Sequence, residues 1–190
     1  MVRLSKFIAT SLVAGLGFAA PSVAPAQDAS GMTAEEIADA FKKQKTRGLV
    51  IVPAAQQDGA SSTTSVTPAA AKEYTAVSPE DQVNIQIAFD FDSAALRQDQ
   101  KPKLTTLCQV MKSVDVSVFQ IVGHTDSSGS AAYNERLSLL RAQEVKHHLV
   151  SDCGIAENRL EAIGMGESAP FDTADPRADV NRRVEFQALG

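Results

Sequence analysis

Residues 53–79 (PAAQQDGASSTTSVTPAAAKEYTAVSP) do most to limit how this chain can fold. Alanine, serine, threonine and proline dominate them, and large apolar side chains are few. Such a stretch cannot offset the entropy of ordering its own backbone, so it reads as a flexible tether over residues 53–80. The chain of 190 residues is thereby divided. Residues 81–190 are long enough for one domain of ordinary size, and residues 27–52 form a short separate segment.

The N-terminus is an export signal by its pattern. Arg3 and Lys6 precede an uncharged apolar run at 7–20, and Ala24-Pro25-Ala26 offers small residues before Gln27. The run is short of the roughly 20 residues needed to cross a bilayer, so a cleaved signal is favoured over a membrane anchor. No later stretch is apolar enough to span, and the cysteines stand at 108 and 153, away from the cleavage site where a lipid would be attached. Cleavage leaves 164 residues with 16 basic and 23 acidic side chains, a formal charge of -7. An acidic, exported, periplasmic protein is expected. Nucleic-acid binding through a basic surface is not.

In the short segment, Thr33 and Glu36 have the spacing of a capping box, followed by an apolar ridge of Ile37 and Phe41. Residues 48–52 are strand-like. From Val83 the pattern is that of a compact domain. Apolar residues alternate over 83–91, and helical spacing over 101–113 follows with Asp99 as its cap. Then come a strand over 115–122, a long helix over 131–152, a short strand over 159–163 and a last strand over 181–188. The order β-α-β-α-β-β predicts an α+β sandwich with two helices on one sheet face.

The long helix carries an anomaly. On a helical wheel Arg141 and Asn134 share the core-facing stripe with Leu137, Ser138, Ala142, Val145 and Leu149. A guanidinium there is costly unless paired, so it either closes an internal ion pair or waits for an anionic ligand. The loop before the helix, residues 123–129, brings Asp126. Asp126 and Arg141 together would receive a zwitterion, the carboxylate accepting from an ammonium and the guanidinium gripping a carboxylate; equally, the two would neutralise each other. His124, Asp126 and Ser128 also suggest catalysis or metal binding. No third ligand stands at a recognisable spacing, however, and no nucleophile elbow is present, so no enzyme activity, metal or cofactor is expected. Cys108 and Cys153 are either two buried thiols or, given export, a disulfide.

The runs IAFDFDSAAL (87–96), IVGHTDSSGSAAYNERLSLLRAQEVKHHL (121–149), Gly154-Ile155 with Arg159, GMGESAP (164–170) and NRRVEF (181–186) resemble the C-terminal domain of the OmpA family, shared with the peptidoglycan-associated lipoprotein and MotB. The resemblance covers residues 83–188. It implies two helices on a mixed four-stranded sheet and non-covalent binding of peptidoglycan through the meso-diaminopimelate of its stem peptide, in the service of outer membrane–cell wall attachment. The family's carboxylate for the ammonium falls on Asp126 and its arginine for the carboxylate on Arg141. Supporting positions fall on Asp92, Thr125, Asn134 and Arg182. Strand alternation agrees on Arg182, which shares a face with Val184 and Phe186, whereas Arg183 points away. Alternatively the protein is an envelope scaffold whose segment 27–52 docks on an outer-membrane partner.

The mature protein is expected to begin at Gln27. N-terminal sequencing of periplasmic material checks this, and a chain that starts at Met1 in the membrane fraction would contradict it.

Overall fold

A computed structural model of the chain describes residues 29–47, 74–90 and 92–190. The leader at 1–26, the expected strand at 48–52, the tether at 53–73 and Phe91 lie outside the described residues. The four strands are β1 (Val83–Ile85), β2 (Val118–His124), β3 (Leu160–Gly166) and β4 (Val184–Leu189), in the spatial order β1-β4-β2-β3. β4 is antiparallel to both neighbours, while β2 and β3 are parallel. Parallel strands need a long crossover, which α3 (Ala131–Ser151) provides. The architecture is thus α+β with a mixed four-stranded sheet.

Alternation sends Phe119, Ile121, Val184 and Phe186 to one face, where they are buried in a single apolar cluster with Leu104, Leu107 and Met111 around α2 (Thr105–Ser113) and Val145 and Leu149 of α3. The helix over α3 starts at Ser130, whose hydroxyl accepts from the Tyr133 N–H at 3.3 Å. A third helix, α1 (Ala34–Arg47), joins this cluster. Its capping box is formed: Glu36 N–H donates to Thr33 Oγ1 at 3.3 Å and Thr33 N–H to Glu36 Oε2 at 2.7 Å. Ile37 and Phe41 are fully buried, and the Phe41 ring meets Phe119 edge-on at 5.0 Å. Burying two such side chains contributes roughly 3–6 kcal/mol. Gln44 adds a polar tie, donating to the Asp81 carbonyl and accepting from the Ala188 N–H, each at 2.7 Å. The apolar ridge of Ile37 and Phe41 is therefore covered from within the chain.

Three local readings differ from the structure. β1 spans three residues, not nine, because β4 begins at Val184, the partner of Ile85, and no strand residue remains to pair with Gln86. Side chains take up the backbone instead: Lys103 Nζ donates to the Gln86 carbonyl at 2.7 Å, and Gln100 Oε1 accepts from the Ala88 N–H at 3.1 Å. Asp99 does not cap a helix. It pairs with Arg97 at 2.9 Å, and the chain enters α2 through a 3-10 turn, Lys101–Leu104, without a side-chain cap. Residues 74–80, assigned to the tether, reach the second sheet face, where the Tyr74 hydroxyl donates to Glu185 at 3.3 Å and the Thr75 carbonyl accepts from Gln187 at 2.9 Å. Counting apolar residues overlooks an attachment made by polar groups.

Two glycines set the distance between helix and sheet. A Cβ on Gly123 would stand 2.1 Å from the Ser138 carbonyl oxygen, and one on Gly164 2.5 Å from the Leu139 nitrogen. The α3 backbone thus lies directly on β2 and β3, and Ser138 Oγ locks it there by accepting from the Gly166 N–H at 2.9 Å.

Cys108 of α2 and Cys153 just beyond α3 are joined, with Cα atoms 5.8 Å apart. For a sequence separation of 45, the chain-entropy model assigns such a link about 4 kcal/mol. Thiol titration of the denatured, unreduced protein is expected to find no free thiol, and Cys108→Ser with Cys153→Ser to lower Tm. Two free thiols would refute the pairing.

Candidate ligand-binding site

The site is built where β2 ends. Thr125 N–H donates to the Gly166 carbonyl at 2.8 Å, and the chain then turns through Asp126, whose Oδ1 accepts from the Ser128 N–H at 2.9 Å. From the entry to β4, Arg182 Nη1 donates to Asp126 Oδ2 at 2.6 Å, and its Nη2 pairs with Asp179 at 2.5 Å. Burial works against ionisation of Asp126, but the hydrogen bonds from Arg182 and from the Ser128 N–H outweigh it and hold the carboxyl below its ordinary value. Its bond to Asp126 in turn raises the pKa of Arg182. Asn134, buried in the first turn of α3, donates to the Asp126 carbonyl at 3.3 Å and to Glu167 at 2.5 Å, so it braces the loop. Thr125 Oγ1 is buried without a partner among the described residues.

Arg141 lies two turns further along α3. Its Nε donates to the Ser93 carbonyl at 3.1 Å, and its guanidinium carbon sits 4.7 Å from the centre of the Phe89 ring. Among the described residues neither Nη atom has a hydrogen-bond partner and no carboxylate is within ion-pair reach. Burial lowers the pKa of Arg141, Arg182 adds repulsion, and Tyr133 and Asp126 act in the opposite sense. Arginine remains charged nonetheless. Asp126 and Arg141 therefore do not neutralise each other; the ion-pair partner of Asp126 is Arg182.

Arg141 and Arg182 line one cavity of about 310 Å³, together with Phe89, Lys103, Asp179 and the 86–88 segment. Asp126 is not among the lining residues and joins the cavity through its bond to Arg182. The supporting positions separate: Asn134 and Thr125 hold the Asp126 loop, Arg182 grips its carboxylate, and Asp92 lies elsewhere, accepting from the exposed Tyr133 hydroxyl at 2.7 Å. Asp92 has a φ of 51°, a left-handed conformation that aspartate tolerates better than most residues. Sequence reasoning missed the roles of Phe89, Ser93, Tyr133, Glu167 and Asp179. Phe89 had a signal in the alternation of residues 83–91; Ser93 acts through a backbone carbonyl, which no side-chain pattern reveals.

The sheet face behind the loop is polar yet buried. Glu185 of β4 accepts from Gln187 at 2.8 Å and from Tyr74 at 3.3 Å, lies 3.1 Å from His124 Nε2, and pairs with Arg183 at 3.6 Å. Arg183 also donates to Asn84 at 3.1 Å and stacks on Phe171. Burial, with some help from Glu185, raises the Tyr74 pKa to about 12. Burial and the Arg183 charge push His124 below its ordinary value against the pull of Glu185. Its Nδ1 has no partner among the described residues, so a second proton there would be a buried donor without an acceptor. This network holds the start of β4, next to Arg182.

As to metals, Cys108, His148 and Cys153 place three ligand-type atoms within 4.8 Å of one another, but the sulfurs are bonded together and His148 Nδ1 lies 2.8 Å from Asp152. No helix among the described residues is long and apolar enough to cross a membrane.

With a mixed sheet, a crossover helix laid on two glycines and a carboxylate-guanidinium loop, the features of one family are assembled. Residues 88–183 match the OmpA family, and the chain belongs to it. It is 38% identical over 109 residues to outer membrane porin F of Pseudomonas aeruginosa, spanning 56% of this chain and 31% of that protein. It is 40% identical over 110 residues to outer membrane protein A of Bordetella avium, spanning 56% of each. The chain thus spans from about a third to just over half the length of these relatives. The crystal structure of the peptidoglycan-associated lipoprotein from Burkholderia pseudomallei is similar at 30% identity and a TM-score of 0.45, over 53% of this chain and 86% of that one.

His124 gives the domain a pH dependence of definite sign. A histidine with a depressed folded pKa takes up its proton more readily in the unfolded chain, so its contribution is present above about pH 6.5 and is lost as pH falls. Tm is expected to drop between about pH 7.5 and 5, and His124→Gln to flatten that slope. An unchanged slope in the variant would show that another group titrates.

Proposed function

We propose that this protein binds peptidoglycan non-covalently by holding the free zwitterionic end of diaminopimelate between Asp126 and Arg141. The observation that carries this reading is the state of Arg141. A half-buried guanidinium is fixed through its Nε and its flat face, while the Nη atoms of its fork have no partner among the described residues and the cavity's carboxylate, Asp179, is held by Arg182. That fork suits a ligand carboxylate in bidentate geometry. Asp126 supplies the opposite charge. Its two oxygens offer about four acceptor directions, of which the Ser128 N–H and Arg182 use two, leaving room for an ammonium.

The remaining residues take supporting parts. Arg182 orients and ionises Asp126, Asn134 braces its backbone, and Thr125 offers a spare hydroxyl beside it; Asp92, bonded to Tyr133, lies outside the cavity. The protein acts by binding rather than turnover. Family membership and the outer-membrane names of its relatives support a place in the cell envelope, between the wall and the outer membrane. Export through the N-terminal leader and the Cys108–Cys153 link belong to the same reading, since both fit a periplasmic protein. In the second reading, an envelope partner engages the segment 27–52 through side chains other than the buried Ile37 and Phe41.

Asp126→Ala and Arg141→Ala are each expected to weaken binding to purified sacculi by about 30- to several-thousand-fold, the consequence of leaving one ligand charge desolvated and unpaired at roughly 2–5 kcal/mol. Arg141→Lys should fail substantially as well, because an ammonium cannot reproduce the fork. Sedimentation with sacculi and Tm are measured on the same preparations. Folded Ala variants that bind normally would refute the site.

A further inference from the structure

Lys103 shares the cavity with Arg141. It sits in the 3-10 turn Lys101–Leu104, partly buried, and donates to the Gln86 carbonyl at 2.7 Å. An ammonium has three N–H donors, so this bond leaves two. Its neighbours in the fold are differently placed: Lys101 pairs with Asp152 at 2.8 Å, and Lys45 with Asp115 at 3.2 Å. Among the described residues Lys103 has no carboxylate within ion-pair reach. Of the groups lining the cavity, the one carboxylate, Asp179, is engaged by Arg182.

The cavity therefore presents two cations without counter-ions, Arg141 and Lys103, in about 310 Å³. A single carboxylate on the Arg141 fork balances only one of them. We infer that Lys103 is a specificity-determining residue that receives a second carboxylate of the same ligand, so that the site reads a stem peptide by two anionic groups and one ammonium. This rests on the peptidoglycan reading above. A stem peptide can offer that second carboxylate in two places, the α-carboxylate of the glutamate before diaminopimelate or the carboxy terminus of the residue after it. Both present the same chemistry to an ammonium. Amidation of either removes the charge and leaves the shape nearly unchanged.

The test uses the full mature chain and a synthetic tetrapeptide, L-Ala-γ-D-Glu-meso-diaminopimelate-D-Ala, in three forms: unmodified, amidated on the glutamate α-carboxylate, and amidated at the carboxy terminus. Calorimetry gives Kd for the wild type and for Lys103→Gln, which keeps an N–H donor for the Gln86 carbonyl. One of the two amidations is expected to weaken wild-type binding about 1.5- to fivefold, the range for an exposed ion pair. The same amidation should cost Lys103→Gln almost nothing, and which amidation it is identifies the carboxylate. If neither amidation matters to the wild type, or if both proteins lose equally, the inference is overturned. A wild type that binds none of the peptides would instead remove the diaminopimelate reading and this inference with it.

Discussion

The close seating of α3 on β2 and β3 at Gly123 and Gly164 governs everything built above it. With any side chain at Gly123 the helix would have to lift, since a Cβ there falls inside the Ser138 carbonyl. Ser138 then bonds β3 directly through the Gly166 N–H, a contact possible only at that separation. The consequences run along the helix in both directions. Toward its start, Asn134 comes within reach of both the Asp126 carbonyl and Glu167; toward its middle, Arg141 reaches the Ser93 carbonyl and the Phe89 ring. One packing distance thus positions the guanidinium and braces the loop that bears the carboxylate.

The electrostatics of the site are asymmetric. Asp126 has an ion-pair partner before any ligand arrives, ionised and oriented by Arg182, which is itself steadied by Asp179. Arg141 is not: it keeps its charge in a half-buried place with a ring face and one carbonyl as its partners, an arrangement that burial penalises. A fold selected for stability alone would place a carboxylate there or replace the arginine with an apolar residue. Retaining an open fork is intelligible if a ligand carboxylate completes it, and binding then relieves an existing cost on the protein side. The polar layer beneath, from His124 through Glu185 to Arg183, keeps the last strand in register so that Arg182 and Arg183 emerge on opposite faces.

Much of this was legible in the sequence, and the exceptions have physical causes. The core-facing stripe of α3 marks Asn134 and Arg141 as anomalous, and strand alternation places Arg182 with Val184. Period two tells which side chains share a face but not whether that face is covered, which is why the burial of Glu185 and Gln187 beneath Tyr74 and Thr75 escaped notice. Alternation predicts too long a β1 because it continues past the point where β4 offers a partner. The α1 helix was recognised from Thr33 and Glu36, but no local pattern reveals that Phe41 packs on Phe119. Asp126 was recognised as a carboxylate in a loop. Its pairing with Arg182, rather than with Arg141, depends on two segments far apart in the chain.

Division of the zwitterion between Asp126 and Arg141 is tested most directly by a crystal structure of the mature protein with a diaminopimelate-containing stem peptide. The ligand ammonium is expected within hydrogen-bond distance of the Asp126 carboxylate, and both oxygens of the ligand carboxylate on the Nη atoms of Arg141. A peptide bound elsewhere, with the Arg141 fork still empty, would contradict it.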